Sequence, residues 1–146
     1  MVKTNQVEQM TVTIPSDLKY LGAVDAAVQD LARELLFSQD AINDLGTALI
    51  EACSNAIEHG NKFSPDKRVT VSLRFHEGRL TAAVKDEGRG FDFEKAMSEE
   101  PDPDPTSERG RGILIIRSFM DEVKLSQREG GGTKLRMLKR LPNSNA

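Results

Sequence analysis

The chain has 146 residues, of which 38% are hydrophobic and 29% charged, and a net charge of −3. This is typical of one globular domain with its own core, expected here over residues 1–146. The chain has no basic block, and its only short basic patch, Lys134 to Arg140, alternates with apolar residues as a strand would, which argues against direct nucleic-acid binding. No apolar run approaches the roughly 20 residues that span a bilayer and no signal-peptide h-region is present, so we expect a cytoplasmic protein with no membrane partner.

The N-terminal part of the chain predicts one strand followed by two helices. Residues 7–14 alternate in polarity and end at a proline, which favours a strand at a sheet edge. Apolar residues at steps of three and four predict two helices, ending at about Phe37 and His59. Residues that commonly cap helices precede both, namely Ser16 or Asp17 for the first and Ser38 or Asp40 for the second.

Two β-hairpins are predicted in the remainder of the chain. Residues 69–75 and 80–84 alternate with period two and flank a tight turn. Residues 123–127 and 133–138 alternate in the same way and flank a glycine-rich turn.

The connection between the hairpins is expected to hold a short helix over 91–97, a surface loop over 98–107 and a buried helix over 113–120. Prolines at every second position of that loop exclude helix and central strand, so a lid is expected over about 98–111. Because hairpins join most strands, the predicted fold is α+β. It is a two-layer α/β sandwich with a mixed, mostly antiparallel sheet and the helices on one face.

One face of the second predicted helix carries an unusual set of polar residues. Glu51, Asn55 and His59 are spaced four residues apart, so a carboxylate, an amide and an imidazole share that face. A solvated polar face is the alternative interpretation, and for His59 we favour a structural role at the helix end. Cys53 lies on the opposite, apolar stripe and is expected to be a buried, inert thiol.

Three glycine clusters follow this helix, at residues 86–90, 110–112 and 130–133. Glycines in pairs allow backbone N–H groups to approach a phosphate, although each cluster alone could be an ordinary turn. The sequence contains neither the P-loop motif nor the G-x-G-x-x-G dinucleotide fingerprint, so a phosphate site here would be of another type.

Taken in order, these segments resemble the GHKL ATPase superfamily. Its Bergerat ATP-binding fold is shared by histidine-kinase catalytic domains, type II topoisomerases, mismatch-repair ATPases and heat-shock chaperones. Residues 51–56 resemble its N box, 86–91 its G1 box, 110–113 its G2 box and 132–133 its G3 region, and the resemblance covers about residues 10–140. The small size, the short lid and the ending of the N box are most similar to bacterial anti-sigma-factor serine kinases.

The resemblance implies a role for each matching side chain. Asn55 would be the Mg²⁺ ligand, and Glu51 would act as the base that activates the attacking hydroxyl. Asp86 would accept a hydrogen bond from the adenine amine, and Thr133 would support the adenine through its hydroxyl or a water. Four glycines would let the nucleotide approach the backbone, Gly88 and Gly90 at the base and Gly110 and Gly112 at the phosphates. Either of two arginines would reach the γ-phosphate, Arg109 or Arg111.

The implied function is that of an ATP- and Mg²⁺-dependent protein serine/threonine kinase that phosphorylates a STAS-type anti-anti-sigma protein and sequesters a sigma factor. Two alternatives stay open, a non-catalytic nucleotide-dependent binding module and a detached histidine-kinase ATPase domain. Glu51 favours the kinase over the binding module, because binding alone does not need a base. Family members are often homodimers, which leaves a homodimer as an open alternative.

Overall fold

The computed structural model describes residues 7–88 and 108–141, with the backbone alone for residues 108 and 109. In these ranges three helices pack on a five-stranded sheet. The strands are β1 (Glu8–Pro15), β2 (Arg68–His76), β3 (Arg79–Lys85), β4 (Glu122–Gln127) and β5 (Thr133–Arg140). The helices are α1 (Leu21–Glu34), α2 (Gln39–Asn55) and α3 (Glu108–Phe119).

The sheet has the strand order β1-β2-β3-β5-β4, and each neighbouring pair is antiparallel. The predicted α+β sandwich is therefore confirmed, and its sheet is antiparallel throughout the described strands. Side chains alternate between the two faces: Val71, Val84 and Leu135 pair across three strands and are buried, whereas the neighbouring row contains Ser72 and Arg136. The helices cover the apolar face.

Helix α2 is the central element of the helical layer, because it contacts α1, α3 and the strands β3 and β5. Its apolar stripe is almost completely buried, as the sequence pattern predicts. The stripe consists of Ile42, Leu45, Ala48, Leu49, Ala52 and Cys53. This packing holds the polar side of the helix in a fixed position relative to the sheet. None of the helices in the described part of the chain has the length and hydropathy of a membrane span.

The first predicted helix is shorter than expected. A 3₁₀ turn at Leu18–Tyr20, capped by the Asp17 side chain, precedes α1, which ends at Glu34. Leu36 then adopts a left-handed conformation with φ of 68°, which stops the helix before Phe37. Ser16 is not a cap, since its buried hydroxyl donates to the carbonyl of residue 67 over 2.6 Å.

Helix α2 begins as predicted and ends differently. The Ser38 hydroxyl accepts a hydrogen bond from the N–H of residue 41 at 3.1 Å, so Ser38 is the cap. Regular α-helix ends at Asn55, four residues before the predicted end at His59, and a π-helical turn follows over Ala56–Gly60. Such turns widen a helix by one residue and are frequent at functional sites.

Helix α3 begins earlier than predicted, at Glu108, so that Gly110 and Gly112 lie inside its first turns. The hairpin strands were predicted to within two residues at every end. The predicted short helix over 91–97 and the loop over 98–107, which forms most of the predicted lid, lie outside the described residues.

Candidate functional site

Glu51 and Asn55 lie on the last turns of α2, on the side away from its apolar stripe. Glu51 is half-buried and Asn55 is only 8% exposed. The side-chain nitrogen of Asn55 is buried and has no hydrogen-bond partner among the described residues. A buried amide group without a partner costs about 1–3 kcal/mol, so this arrangement calls for a ligand at Asn55.

Gly112 of α3 packs directly against this pair of side chains. A Cβ atom built at Gly112 would lie 2.9 Å from Asn55 Nδ2, closer than real Cβ atoms come, and 3.2 Å from Glu51 Oε2, tighter than most Cβ contacts. Because Gly112 has no side chain, the first turns of α3, which include the buried Gly110, can pack directly against Glu51 and Asn55. The N-terminus of a helix favours anions through its dipole and backbone N–H groups.

The π-helical turn at Ala56–Gly60 connects this face to a second group of residues. The turn is closed by a bond from the N–H of residue 61 to the Ala56 carbonyl at 2.8 Å, and Gly60 packs against the loop after β3. A Cβ built at Gly60 would lie 2.3 Å from Asp86 Oδ2, and one at Gly88 would lie 1.8 Å from the Gly60 carbonyl oxygen. The two backbone segments are thus in contact only because both residues are glycines.

Asp86 is the centre of the second group and is only 3% exposed. Its Oδ1 accepts hydrogen bonds from the N–H groups of Gly88 and Thr133, each at 3.1 Å. Its Oδ2 accepts one from the Thr133 hydroxyl at 2.5 Å. A carboxylate offers about four acceptor positions, so these three donors leave one for a further donor.

The turn between β4 and β5 fixes the main chain of Asp86. Its carbonyl accepts a bond from the Arg128 guanidinium at 2.6 Å, and its N–H donates to the Thr133 carbonyl at 3.0 Å. Gly132 has φ of +94°, and a Cβ there would lie 2.1 Å from the Asp86 carbonyl oxygen. The third glycine cluster therefore supports Asp86, and Arg128 is a supporting residue that the sequence pattern did not reveal.

Asn61, also missed from the sequence, connects three segments beneath the site. It is 2% exposed, and its amide nitrogen donates to the Ser16 hydroxyl at 2.9 Å and to the Arg68 carbonyl at 3.0 Å. Its oxygen accepts from the N–H of Glu87 at 2.8 Å. The loop that carries Asp86 is thereby tied to β1 and β2.

His59 lies between the two groups, in the π-helical turn. The ring is half-buried, and its Nε2 is buried without a partner among the described residues. Cys53 lies on the other side of α2, where burial raises the pKa of its thiol to about 12. The thiol is therefore protonated at neutral pH, in agreement with the prediction that it is inert.

The structure brings most of the predicted site residues into the two groups. Glu51 and Asn55 face Gly112, and Asp86 contacts Gly88 and Thr133. The exposed Arg111 lies on α3 next to the first group. Two predicted residues cannot be located in this way, because Gly90 and the Arg109 side chain lie outside the described part of the chain.

Mg²⁺ fits the first group on chemical grounds. In residues 7–88 and 108–141 no three His, Cys, Asp or Glu side chains cluster as a metal site. Mg²⁺ is compatible with that, because it keeps several waters and binds through few protein oxygens together with phosphate. Rotation of the Asn55 carboxamide by 180° presents its oxygen where the partnerless nitrogen lies, beside the Glu51 carboxylate.

The sequence is similar to known proteins along most of its length. Residues 14–139 match the family model described as histidine kinase-like ATPase domain. The chain is 32% identical over 134 residues to the serine-protein kinase RsbW of Bacillus subtilis, covering 86% of this chain and 82% of that protein. It is 36% identical over 119 residues to RsbW of Bacillus licheniformis, covering 76% and 73%.

Solved structures share the fold. The structure of the RsbU and RsbW domains of a Mycobacterium tuberculosis protein superposes with a TM-score of 0.65 at 18% identity. That match covers 92% of this chain, which spans about a third (32%) of the longer structure. The catalytic domain of the histidine kinase ThkA superposes with a TM-score of 0.59 at 12% identity, covering 90% of this chain and 96% of that domain. At these identities the likeness concerns the fold.

Proposed function

We propose that this chain, which belongs to the histidine kinase-like ATPase domain family and within it to the RsbW-like anti-sigma serine kinases, transfers the γ-phosphate of ATP to a serine or threonine of a protein. The proposed substrate is a STAS-type anti-anti-sigma protein, and the proposed second partner is a sigma factor that the kinase sequesters in the cytoplasm. Both RsbW relatives are serine-protein kinases, which supports the reaction class.

The observation that carries this proposal is the contact of Gly112 with Glu51 and Asn55. At this contact a carboxylate, a carboxamide and a helix N-terminus lie within a few ångströms of one another. Such a site can accept the proton of an attacking hydroxyl at the carboxylate and hold the transferred phosphate at the helix N-terminus. Glu51 is the proposed base, and it orients and deprotonates the attacking hydroxyl. Gly110 and Gly112 present the backbone of α3 to the phosphates.

Asn55 is the proposed protein ligand of Mg²⁺. The bound ion would neutralise charge on the β- and γ-phosphates, which is its usual contribution to phosphoryl transfer. The partnerless position of the carboxamide nitrogen supports this role, because rotation of the carboxamide by 180° places the oxygen, which is the atom that Mg²⁺ binds, at that position. One of Arg109 and Arg111 is proposed to contact the γ-phosphate.

Asp86 is the proposed adenine contact. Its one remaining acceptor position suits an exocyclic amine, which adenine offers where guanine presents a carbonyl. Thr133 holds the carboxylate in place, and Gly88 and Gly90 leave room for the base. A homodimer is a further proposal, supported only by the family resemblance.

The proposal is tested by incubating the purified protein with γ-labelled ATP, Mg²⁺ and the STAS-type protein encoded nearest to its gene. We expect acid-stable label on a serine or threonine of that protein, and a Glu51→Gln variant should transfer phosphate about 10² to 10⁴ times more slowly. Glu58→Gln, a half-buried carboxylate one position before His59, is the matched control and should retain the wild-type rate.

Other outcomes would replace the proposal with one of its alternatives. Acid-labile label on a histidine would indicate a detached histidine-kinase ATPase domain. Nucleotide-dependent binding of the partner without any transfer would indicate a binding module. If Glu51→Gln transferred phosphate as fast as wild type, the assignment of Glu51 as the base would be wrong.

A further inference from the structure

The face of the sheet opposite the helices is strongly basic along β3, β5 and β4. We call the outward-pointing residues of these three strands the basic face. It contains six cations and one carboxylate, Glu122, whereas the whole chain has a net charge of −3. The cations are Arg79, Lys85, Lys124, Lys134, Arg136 and Arg140. The basic face thus carries +5, which leaves −8 for the rest of the molecule.

The strand register places these cations next to one another. Three cross-strand pairs consist of two cations each, Arg79 with Arg140, Lys85 with Lys134 and Lys124 with Arg136. Like charges directly opposite each other on neighbouring strands destabilise a sheet. An anionic partner bound to this face would neutralise these charges and remove their repulsion.

Intramolecular carboxylates neutralise little of this charge. Arg140 forms an ion pair with Glu122 at 2.6 Å, within the basic face itself. The other five cations of the basic face make no ion pair with any carboxylate in the described part of the chain. Three of them, Arg79, Lys124 and Arg136, are exposed.

A cavity of about 260 Å³ lies in the middle of the basic face. The three exposed cations line it together with two other polar residues, Thr81 and Glu122, and with three apolar residues, Val123, Met137 and Leu138. A hydroxyl group and three cations around one depression can receive a carboxylate side chain through charge-assisted hydrogen bonds. The cavity is far from Glu51 and Asp86 in the fold, since those residues belong to the helical layer and to the opposite ends of β3 and β5.

We propose that the basic face binds an acidic segment of a partner protein, one of whose carboxylates enters the cavity between Arg79, Lys124 and Arg136. A single-stranded nucleic acid is disfavoured, because the outward positions of β3, β4 and β5 carry no aromatic ring for stacking bases. A long polyanion would also extend over the rest of the molecule, which carries −8. A membrane is disfavoured because, of the three apolar residues that line the cavity, only Leu138 points outward, whereas Val123 and Met137 pack against the core.

The test measures binding of a fluorescent ten-residue glutamate peptide to the full chain at low and moderate salt. Replacing the three cavity cations together (Arg79→Gln, Lys124→Gln, Arg136→Gln) should weaken peptide binding about tenfold, the sum of three exposed charge contacts. A matched triple variant elsewhere (Lys19→Gln, Arg33→Gln, Lys67→Gln) removes the same charge and should change binding less than about twofold. The cavity variant should melt no lower than wild type, because it removes like-charge contacts.

Three further probes decide between partners. A ten-nucleotide oligothymidylate and vesicles of phosphatidylcholine with phosphatidylserine should bind more weakly than the peptide. In sedimentation experiments, the cavity variant and the wild type should have the same oligomeric state. The proposal is overturned if the two triple variants weaken peptide binding equally, or if the oligonucleotide or the vesicles bind more tightly. It is also overturned if the basic face proves to be buried between two copies of the chain. ATP affinity should be unchanged in both triple variants, which separates this result from the proposed kinase function.

Discussion

Replacing Gly60 with alanine should disrupt the site although the mutation adds one methyl group. The new Cβ would lie 2.3 Å from Asp86 Oδ2 and 2.5 Å from its Cγ, so the carboxyl group has to move. It cannot move freely, because two N–H groups and the Thr133 hydroxyl hold it, and its own Cβ lies 3.1 Å from the added atom. Gly60 does not have a positive φ, so the effect is steric.

The expected loss of stability follows from the hydrogen bonds that Asp86 gives up. A buried group that loses its partner costs about 1–3 kcal/mol, and alanine regains up to about 1 kcal/mol of helix propensity. With two bonds broken, the net loss is about 3 kcal/mol, which lowers the melting temperature by roughly 6 to 12 °C in a chain of this size. ATP affinity should fall in parallel, because Asp86 is the proposed adenine contact.

Gly22→Ala is the matched control for this prediction. Gly22 lies in α1, and a Cβ there meets nothing within 4 Å, so this variant should be as stable as wild type or more stable by up to about 1 kcal/mol. Urea unfolding and calorimetric titration with ATP measure both effects. If Gly60→Ala matched Gly22→Ala in stability and in ATP affinity, the steric reasoning would be refuted.

Two other predictions concern Thr133 and Cys53. Thr133→Val removes the hydroxyl that donates to Asp86 Oδ2 and should weaken ATP binding about tenfold, whereas Thr133→Ser should retain it; equal affinity in both variants would contradict the role of the hydroxyl. Burial raises the pKa of the Cys53 thiol from 9.0 to about 12, so the folded state favours the neutral thiol. The contribution of this thiol to the free energy of unfolding is therefore complete below pH 9 and is lost as the pH rises toward 12. Urea unfolding should therefore show a steeper alkaline loss of stability in wild type than in Cys53→Ala, and a parallel loss in both would argue against this assignment.

The sequence was informative where the signal is local and periodic. The spacing of Glu51 and Asn55 placed both on one face of α2, and a buried apolar stripe that includes Cys53 was predicted on the other side of that helix. The strands were equally clear, since alternation and turn residues mark each hairpin. These features depend on neighbours within a few positions along the chain.

The features that could not be predicted depend on contacts between distant segments. Nothing near Asn61 indicates that its amide joins Ser16, Arg68 and Glu87, up to 45 positions away. The π-helical turn after Asn55 likewise has no sequence signature. The basic face was not predicted, because the sequence shows only a short basic patch from Lys134 to Arg140, and it is the strand register that places the cations of β3 and β4 beside it.

The glycines of the site have a packing role that their sequence motifs alone do not reveal. From sequence, Gly88 was expected to let the adenine base approach the backbone. In the structure its N–H donates to Asp86, and the space where its side chain would be is filled by the Gly60 carbonyl. Gly132 is required in the same way, by the carbonyl of Asp86.

Three glycines from three segments therefore serve one purpose, which is to let the backbone enclose a single carboxylate. Gly112 has the same role next to Glu51 and Asn55: because it has no side chain, the first turns of α3 pack directly against these two residues. Any larger residue at these positions would push apart segments that do not neighbour each other in sequence. The glycines of this site thus determine how closely its elements approach, and the polar side chains gain their function from that approach.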